Sequence, residues 1–154
     1  MTAAQGLRED DPMLQLNNQL CFAVYSTAHA FNRIYKPLLE PLGLTYPQYL
    51  VMLVLWEKDG ATVKELGERL HLDSGTLTPL LKRLEAAGNL TRTRDAADER
   101  LVRIALTPAG RQLKQAAMAV PGRILAASGR GAADLQALKA DVARLRESLN
   151  AAPQ

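Results

Sequence analysis

Apolar residues return every third or fourth position over most of this chain, a helical pattern, and alternate in only one stretch. Leu16, Leu20, Val24, Phe31, Ile34 and Leu38 lie along one stripe, so Met13 to about Leu42 reads as a long helix. Pro37 and Pro41 should bend or end it, because each lacks a backbone donor and crowds the preceding turn; Gly43 completes the stop. Thr45 and Gln48 have capping-box spacing with Pro47 early in the first turn, and open a helix to about Lys58. From Tyr49 to Trp56 that helix is apolar on most sides, which places it at the centre of a domain. Asp59-Gly60 ends it. Thr62 and Glu65 repeat the capping-box spacing ahead of Val63, Leu66 and Leu70, and this short helix breaks at His71-Leu72-Asp73. Asp73 or Ser74 caps the next helix, in which Leu77, Leu80, Leu81 and Leu84 form one buried stripe, and Gly88 lies just past its end.

From Leu90 the period changes. Leu90 to Arg94 and Leu101 to Leu106 alternate as strands do, joined by the charged segment Asp95 to Arg100. A helix pair followed by such a hairpin is the layout of a winged helix-turn-helix, so the fold class is mainly α with a small β element (α+β). Thr107-Pro108 starts a helix with cap and proline in favoured places, running toward Ala127 with a bend near Pro121. After a break at Ser128 to Gly131, the last helix spans about Ala132 to Asn150. It carries Leu135, Leu138, Val142, Leu145 and Leu149 as a narrow seam. That seam suits a dimer interface shared with the first helix better than packing against the chain's own first helix. The predicted organisation is one domain over 1–154, with dimerisation helices at 12–43 and 108–150 flanking a winged unit at 45–107.

Composition narrows the field rather than deciding it. With 154 residues, 47% hydrophobic and 23% charged, the chain has the profile of an ordinary globular domain. No apolar run reaches membrane-spanning length, and the polar, acidic start from Met1 to Asp11 has no signal-peptide core, so a cytoplasmic protein without a membrane partner is expected. The net charge of +3 argues only weakly for nucleic acid. Its distribution argues more: residues 1–60 hold 4 cations and 6 anions, residues 82–103 hold 6 and 4, and residues 104–154 hold 7 and 3. The single cysteine, Cys21, excludes an intramolecular disulfide and a cysteine-based metal site. His29 and His71 stand apart from other ligand types, so no metal and no cofactor are expected.

On the helix with Leu77, the face opposite the leucine stripe holds Gly75, Thr76, Thr78, Pro79, Lys82 and Arg83. Small hydroxyls followed by two cations suit a helix lying in a DNA groove, although a solvated helical hairpin has the same pattern.

The hairpin carries a resemblance. Asp98-Glu-Arg100-Leu-Val-Arg-Ile-Ala-Leu106-Thr107-Pro-Ala-Gly110, preceded by Leu84-Glu-Ala-Ala-Gly88, resembles the wing signature of the multiple-antibiotic-resistance regulator (MarR) family. Leu16 to Tyr25, Leu44 to Leu50 and Leu72 to Arg83 are similar to the organic hydroperoxide resistance repressors (OhrR) within that family. The resemblance spans nearly the whole chain. It implies a homodimeric repressor, not an enzyme, binding pseudo-palindromic double-stranded operator DNA. Ser74, Thr76 and Thr78 would then approach base edges, while Lys82 and Arg83 would hold phosphates or guanine. Arg100 would enter the minor groove at the wing tip, oriented by Asp98.

A lone cysteine flanked by apolar residues is most simply a small buried hydrophobe. The resemblance implies instead that Cys21 senses organic hydroperoxide, with Tyr35 and Tyr46 reaching it across the dimer interface and Tyr25, four residues on, responding to its modification. Without the resemblance, each tyrosine reads equally well as an amphipathic core residue. No Lys or Arg lies within a helical turn of Cys21, which leaves hydrogen-bond donors to stabilise a thiolate. The chain departs from two-cysteine relatives in having Ala126 or Ala127 where they carry a resolving cysteine, so full induction would need a small-molecule thiol or further oxidation. A MarR-type regulator moved by a phenolic ligand is the alternative. A thiol peroxidase or a structural DNA-bending protein fits the pattern less well.

Overall fold

The computed structural model describes residues 11–153, so the lead from Met1 to Asp10 lies outside the described residues. Seven helices and a two-stranded sheet follow in the order α1 (Leu20–Leu39), α2 (Tyr46–Glu57), α3 (Val63–Leu70), α4 (Ser74–Ala86), β1 (Leu90–Arg94), β2 (Val102–Leu106), α5 (Pro108–Ala117), α6 (Val120–Ser128) and α7 (Ala132–Ala151).

Everything packs around α2. Its residues Tyr49, Val51, Met52, Val54 and Leu55 are buried, as the all-round apolar run requires. Leu39 and Leu44 cover one side; Leu66, Leu77, Leu81 and Leu84 of the helix pair cover another. Leu90, Ile104 and Leu106 seal the base of the hairpin, and Ala117 and Val120 close the core from behind. Both capping boxes form with reciprocal hydrogen bonds, Thr45 with Gln48 and Thr62 with Glu65. Of the two N-cap candidates for α4, Asp73 takes the position and accepts from the Thr76 N–H at 2.7 Å. His71 ends α3 in the left-handed conformation, at φ 55°.

The wing is antiparallel, with Leu90 opposite Leu106, Arg92 opposite Ile104 and Arg94 opposite Val102. One more bridge, Thr62 to Arg103, attaches β2 to the start of α3. Asp59 and Gly60, at the end of α2, anchor this region. The Asp59 carboxylate accepts from the Leu106 N–H at 2.8 Å and from Arg111 of α5 at 2.6 Å. The Gly60 carbonyl accepts from Arg103 at 2.8 Å.

Three sequence expectations need correction. The first helix begins at Leu20, not Met13: two short 3-10 turns, Pro12–Leu14 and Leu16–Asn18, precede it. There Gln19 donates through Nε2 to the carbonyls of Met13 and Gln15, and Asn18 donates to that of Pro12, holding the backbone out of a continuous helix. Pro37 does not stop the helix. It lies inside the last turn of α1, and only Pro41 and the left-handed Gly43 end the segment. The helix after the wing breaks at Met118-Ala119, and Pro121 sits in the first turn of α6, where its missing donor costs nothing.

Outside the α2-centred core, α1 and α7 are under-covered. Leu39 is the only buried residue of α1, and α7 has none. Leu138, Val142 and Leu149 of the α7 seam stay exposed, as do Val24, Phe31 and Ile34 of α1.

Gly110 sits where the hairpin exit meets α5, and a Cβ there would lie 2.0 Å from the Asn89 carbonyl oxygen. Its own carbonyl accepts from Trp56 Nε1 at 2.9 Å. Gly110→Ala should therefore lower the unfolding free energy by about 1–3 kcal/mol through overpacking. Gly122→Ala, which meets nothing within 4 Å, should not. Urea denaturation of the two variants checks this; equal stabilities would contradict the contact.

Candidate nucleic-acid interface and thiol site

The candidate nucleic-acid surface is built by α4 and the wing. Ser74, Thr76, Lys82 and Arg83 are exposed, and Thr78 is half-buried because it lies nearer the leucine stripe. The Thr76 hydroxyl donates to Asp73 Oδ2 at 3.2 Å, which fixes its proton inward and leaves its oxygen lone pairs outward as acceptors. Hydrogen bonds from the Thr76 backbone and side chain hold the Asp73 carboxyl below the usual carboxylate range.

At the wing tip, Arg100 projects into solvent with its side chain 89% exposed. Its Nε and Nη2 donate to the two Asp98 carboxylate oxygens, each at 3.0 Å, and its backbone N–H donates to Oδ1 at 3.1 Å. This fork-to-fork pairing sets the direction of the guanidinium while leaving Nη1 outward. The Arg100 hydrogen bonds also lower the Asp98 pKa.

Two sets of contacts aim this surface, and the sequence pattern had not singled them out. Glu85 of α4 accepts from both the backbone N–H and the Nε of Arg92, at 2.9 and 2.8 Å, and so clamps β1 to the reading helix. Arg103 pairs with Asp95 across the wing while it reaches the Gly60 carbonyl. The signals present were an acid at the end of α4 and arginines alternating along both strands; the contacts they make are set only by hairpin register.

The thiol lies elsewhere. Cys21 is free and exposed, not buried, and is the second residue of α1. The shorter helix thus places it in the first turn, beside backbone donors that have no intrahelical partner. Tyr25, one turn on, is 63% exposed and packs edge-on against His29 with ring centroids 4.4 Å apart.

Tyr35 and Tyr46 are brought together, with centroids 4.5 Å apart, and Tyr49 joins them at 5.9 Å from Tyr35. Tyr49, three residues after Tyr46, was missed because it lay in an apolar run. Burial pushes the Tyr35 hydroxyl up to about 12, with the neighbouring Tyr46 and Tyr49 adding to the shift. Burial also raises Tyr46 and Tyr49. All three are therefore neutral donors at physiological pH. Cys21 and Tyr35 are fourteen positions apart on one helix, about 21 Å along its axis at 1.5 Å per residue. Within one chain they do not meet.

Among the described residues, no group of three or more His, Cys, Asp or Glu side chains is placed to hold a metal ion. No single described helix is long and apolar enough to cross a membrane.

The tyrosine shifts have a measurable sign. A phenol whose neutral form the fold favours stabilises it fully below its unfolded pKa, near 10, and loses that contribution as pH rises through the folded value. Near-ultraviolet titration should show the Tyr35 phenolate appearing only near pH 12, with stability falling from about pH 10 upward. Tyr35→Phe should remove the latest step; a titration complete by pH 10 would contradict the cluster.

A family model described as transcriptional regulator SarA/Rot matches residues 33–117, more than half of the chain. The organic hydroperoxide resistance transcriptional regulator of Bacillus subtilis is 50% identical over 137 residues, covering 89% of this chain and 93% of that protein. The HTH-type transcriptional regulator TtmR of Methylorubrum extorquens is 54% identical over 142 residues, covering 92% of this chain and 72% of the relative. Among solved structures, reduced AbfR bound to DNA superposes with a TM-score of 0.75 at 36% identity, covering 89% of this chain and 95% of that one. AbfR is also known in an overoxidised, DNA-bound form, at a TM-score of 0.70 and 35% identity over 89% of this chain and 96% of that one. With the winged helix-turn-helix and its wing signature in place, the chain belongs to the MarR family of transcriptional regulators, within its organic hydroperoxide resistance (OhrR) group.

Proposed function

We propose that this protein is a dimeric repressor that binds pseudo-palindromic operator DNA and releases it when an organic hydroperoxide oxidises Cys21. The observation that carries the redox half is the placement of one exposed cysteine at the start of α1, apart from a cluster of neutral tyrosine donors. The DNA half rests on the α4 surface and the Asp98–Arg100 wing tip, and is consistent with the DNA-bound AbfR structures.

The chemistry is a two-electron oxidation. The Cys21 thiolate attacks the terminal oxygen of ROOH, the O–O bond breaks, and the alkoxide leaves as ROH after taking a proton. The sulfur becomes a sulfenic acid. Tyr35 and Tyr46 of the partner chain would donate hydrogen bonds to the thiolate, which favours the reactive form. Leu20, Phe22 and Val24 flank the cysteine with exposed apolar surface, which favours an organic peroxide over hydrogen peroxide. With no second cysteine, a small-molecule thiol condenses with the sulfenic acid to a mixed disulfide and water.

On DNA, α4 would enter the major groove, with Ser74, Thr76 and Thr78 at base edges and Lys82 and Arg83 on phosphates or guanine. The wings would place Arg100 in the flanking minor groove. The domain bounds expected from the sequence, with dimerisation helices at 12–43 and 108–150, belong to this proposal. The thin coverage of α1 and α7 supports it. In the bacterial cell such a regulator would work in the cytoplasm, with its operator.

A second reading has one observation in its favour. A groove of about 260 Å³ lies between α2 and α5, lined by Tyr49, Leu53, Trp56 and Met118 with Glu57 and Lys114 at its edge. That aromatic and apolar lining suits a small phenolic compound acting in place of a peroxide.

Cys21→Ser separates the two readings: it should keep operator binding and lose release by cumene hydroperoxide. Release of that variant at the wild-type dose would overturn the redox reading. Intact-mass measurement after stoichiometric peroxide should show one added oxygen, or a thiol adduct when a thiol is present. Arg100→Ala should weaken operator binding about tenfold and reduce the salt slope by about one. Unchanged affinity across salt concentrations would remove the wing from the model.

A further inference from the structure

We propose that Asp59 and Arg111 form a corner bracket between the wing and α5, and that this bracket determines which half-site spacing on DNA the protein accepts. It rests on the dimeric, DNA-binding half of the function proposed above, not on the chemistry at Cys21.

The corner has no slack. β2 ends at Leu106 and α5 begins at Pro108, so Thr107 is the only residue between strand and helix. Its N–H donates to the Asn89 carbonyl at 3.1 Å and its hydroxyl donates to the Gly88 carbonyl at 2.6 Å. The same hydroxyl oxygen caps α5 by accepting from the Gly110 N–H at 3.1 Å. Strand and helix are therefore joined as two rods, and the angle between them sets where the wing points relative to α5.

Asp59 holds that angle from outside the corner. On the outer edge of β2, Ile104 donates to the Ala61 carbonyl at 2.8 Å, and two residues on Leu106 donates to Asp59 Oδ1, also at 2.8 Å. The chain has turned away at Gly60, with φ 81°, so a side-chain oxygen takes the place of the next backbone carbonyl. The Gly60 N–H donates to the same oxygen at 2.8 Å and keeps the carboxylate in place. The other oxygen, Oδ2, accepts from Arg111 Nη2 at 2.6 Å. Among the described residues, Asp59 is the one side chain hydrogen-bonded to both β2 and α5. Trp56 Nε1 donates to the Gly110 carbonyl and Lys114 Nζ to the Trp56 carbonyl, which keeps α5 on α2, but neither bonds to the strand.

This corner has leverage over the groove-facing residues. Six positions separate Leu106 from Arg100, up to about 20 Å of extended chain, so a tilt of about 5° at the root moves the wing tip by about 2 Å. A hydrogen bond does not survive such a shift. Glu85 and Arg92 clamp the wing to α4, so both elements swing together about the corner. Beyond the corner α5 leads to α6, which packs on α1. In a dimer joined by those helices, the angle held at Asp59 sets the separation of the two reading units, and half-sites are accepted or rejected by that separation.

The test compares affinities for three duplexes. The first is the pseudo-palindromic duplex that the wild-type protein selects from a random pool. The second has one base pair inserted between the half-sites, and the third has one half-site scrambled. The insertion shifts the half-sites by about 3.4 Å and turns them by about 35°. Wild-type affinity should fall about tenfold on the second duplex, the size of a base-pair mismatch. Asp59→Asn keeps an oxygen for the Leu106 and Gly60 N–H groups but presents a donor to Arg111, and Arg111→Met removes the cation. Each variant should lose about three- to fivefold on the first duplex, the upper range for a solvent-exposed ion pair. Each should match the wild type on the third duplex and show a smaller insertion penalty. Combined, the two substitutions should be no worse than either alone. The salt slope should keep its wild-type value, because no phosphate contact is removed.

The same insertion penalty in variants and wild type overturns the bracket, as do additive losses in the combined variant. Equal losses on the first and third duplexes also overturn it, since a general weakening of the fold acts on both. A smaller salt slope for Arg111→Met assigns Arg111 to a phosphate and removes it from the corner. A wild-type protein that selects a single half-site, or ignores the insertion, overturns the dimeric reading and the bracket with it.

Discussion

The structure depends on α2 being buried on nearly all sides. A twelve-residue helix with Tyr49, Val51, Met52, Val54 and Leu55 in the core has no solvated face to spare, so the helix pair, the hairpin base and α5 are arranged to cover it. Its two ends then become fixed points. The start carries Tyr46 under the Thr45–Gln48 capping box, beside Tyr35. The end carries Asp59 and Gly60, which hold the last residue of β2, a strand arginine and the first turns of α5. One rigid rod thus runs from the tyrosine cluster to the root of the wing.

That arrangement separates two regions. The candidate reading surface is α4 and the wing, whose side chains are positioned by contacts within the chain: Asp73 to Thr76, Glu85 to Arg92, Asp98 to Arg100. Cys21 opens α1, whereas Tyr35, with Tyr46 and Tyr49 of α2 beside it, lies near the other end of that helix, so the thiol and the tyrosines stay apart within one chain. α1 and α7 keep apolar side chains exposed while the α2 core is closed. The chain's modest net charge is no obstacle, since a few arginines held in fixed directions serve better than a larger number of mobile ones.

Much of the fold was legible. Thr45 with Gln48 and Thr62 with Glu65 announced two helix starts, and the reciprocal hydrogen bonds are present. The switch to alternation at Leu90 marked the hairpin, since a period of two has no other economical reading. The errors fell where local chemistry competes with periodicity. Leu16 and Leu20 continue the stripe of α1, but the side chains of Asn18 and Gln19 bond to backbone carbonyls and delay the helix to Leu20. Pro37 looked like a stop, yet it lies one turn from the helix end, where it costs α1 only the one bond to the Arg33 carbonyl on an exposed stretch. The cysteine changed character as a result. Read as mid-helix and apolar, it lies instead exposed in a first helical turn.

The sequence by itself determined the order of elements, the central place of α2 and the leucine stripe of α4, because caps, periodicity and turn residues act over a few positions and are written locally. The tertiary structure decided which distant groups meet. It gathered Tyr35, Tyr46 and Tyr49 into one cluster, bound Arg92 to Glu85 and Arg103 to Gly60, and held Cys21 away from the tyrosines. Those pairings depend on register and packing angle, which no window of sequence specifies. They fix where the wing points and keep the thiol apart from the tyrosines within one chain.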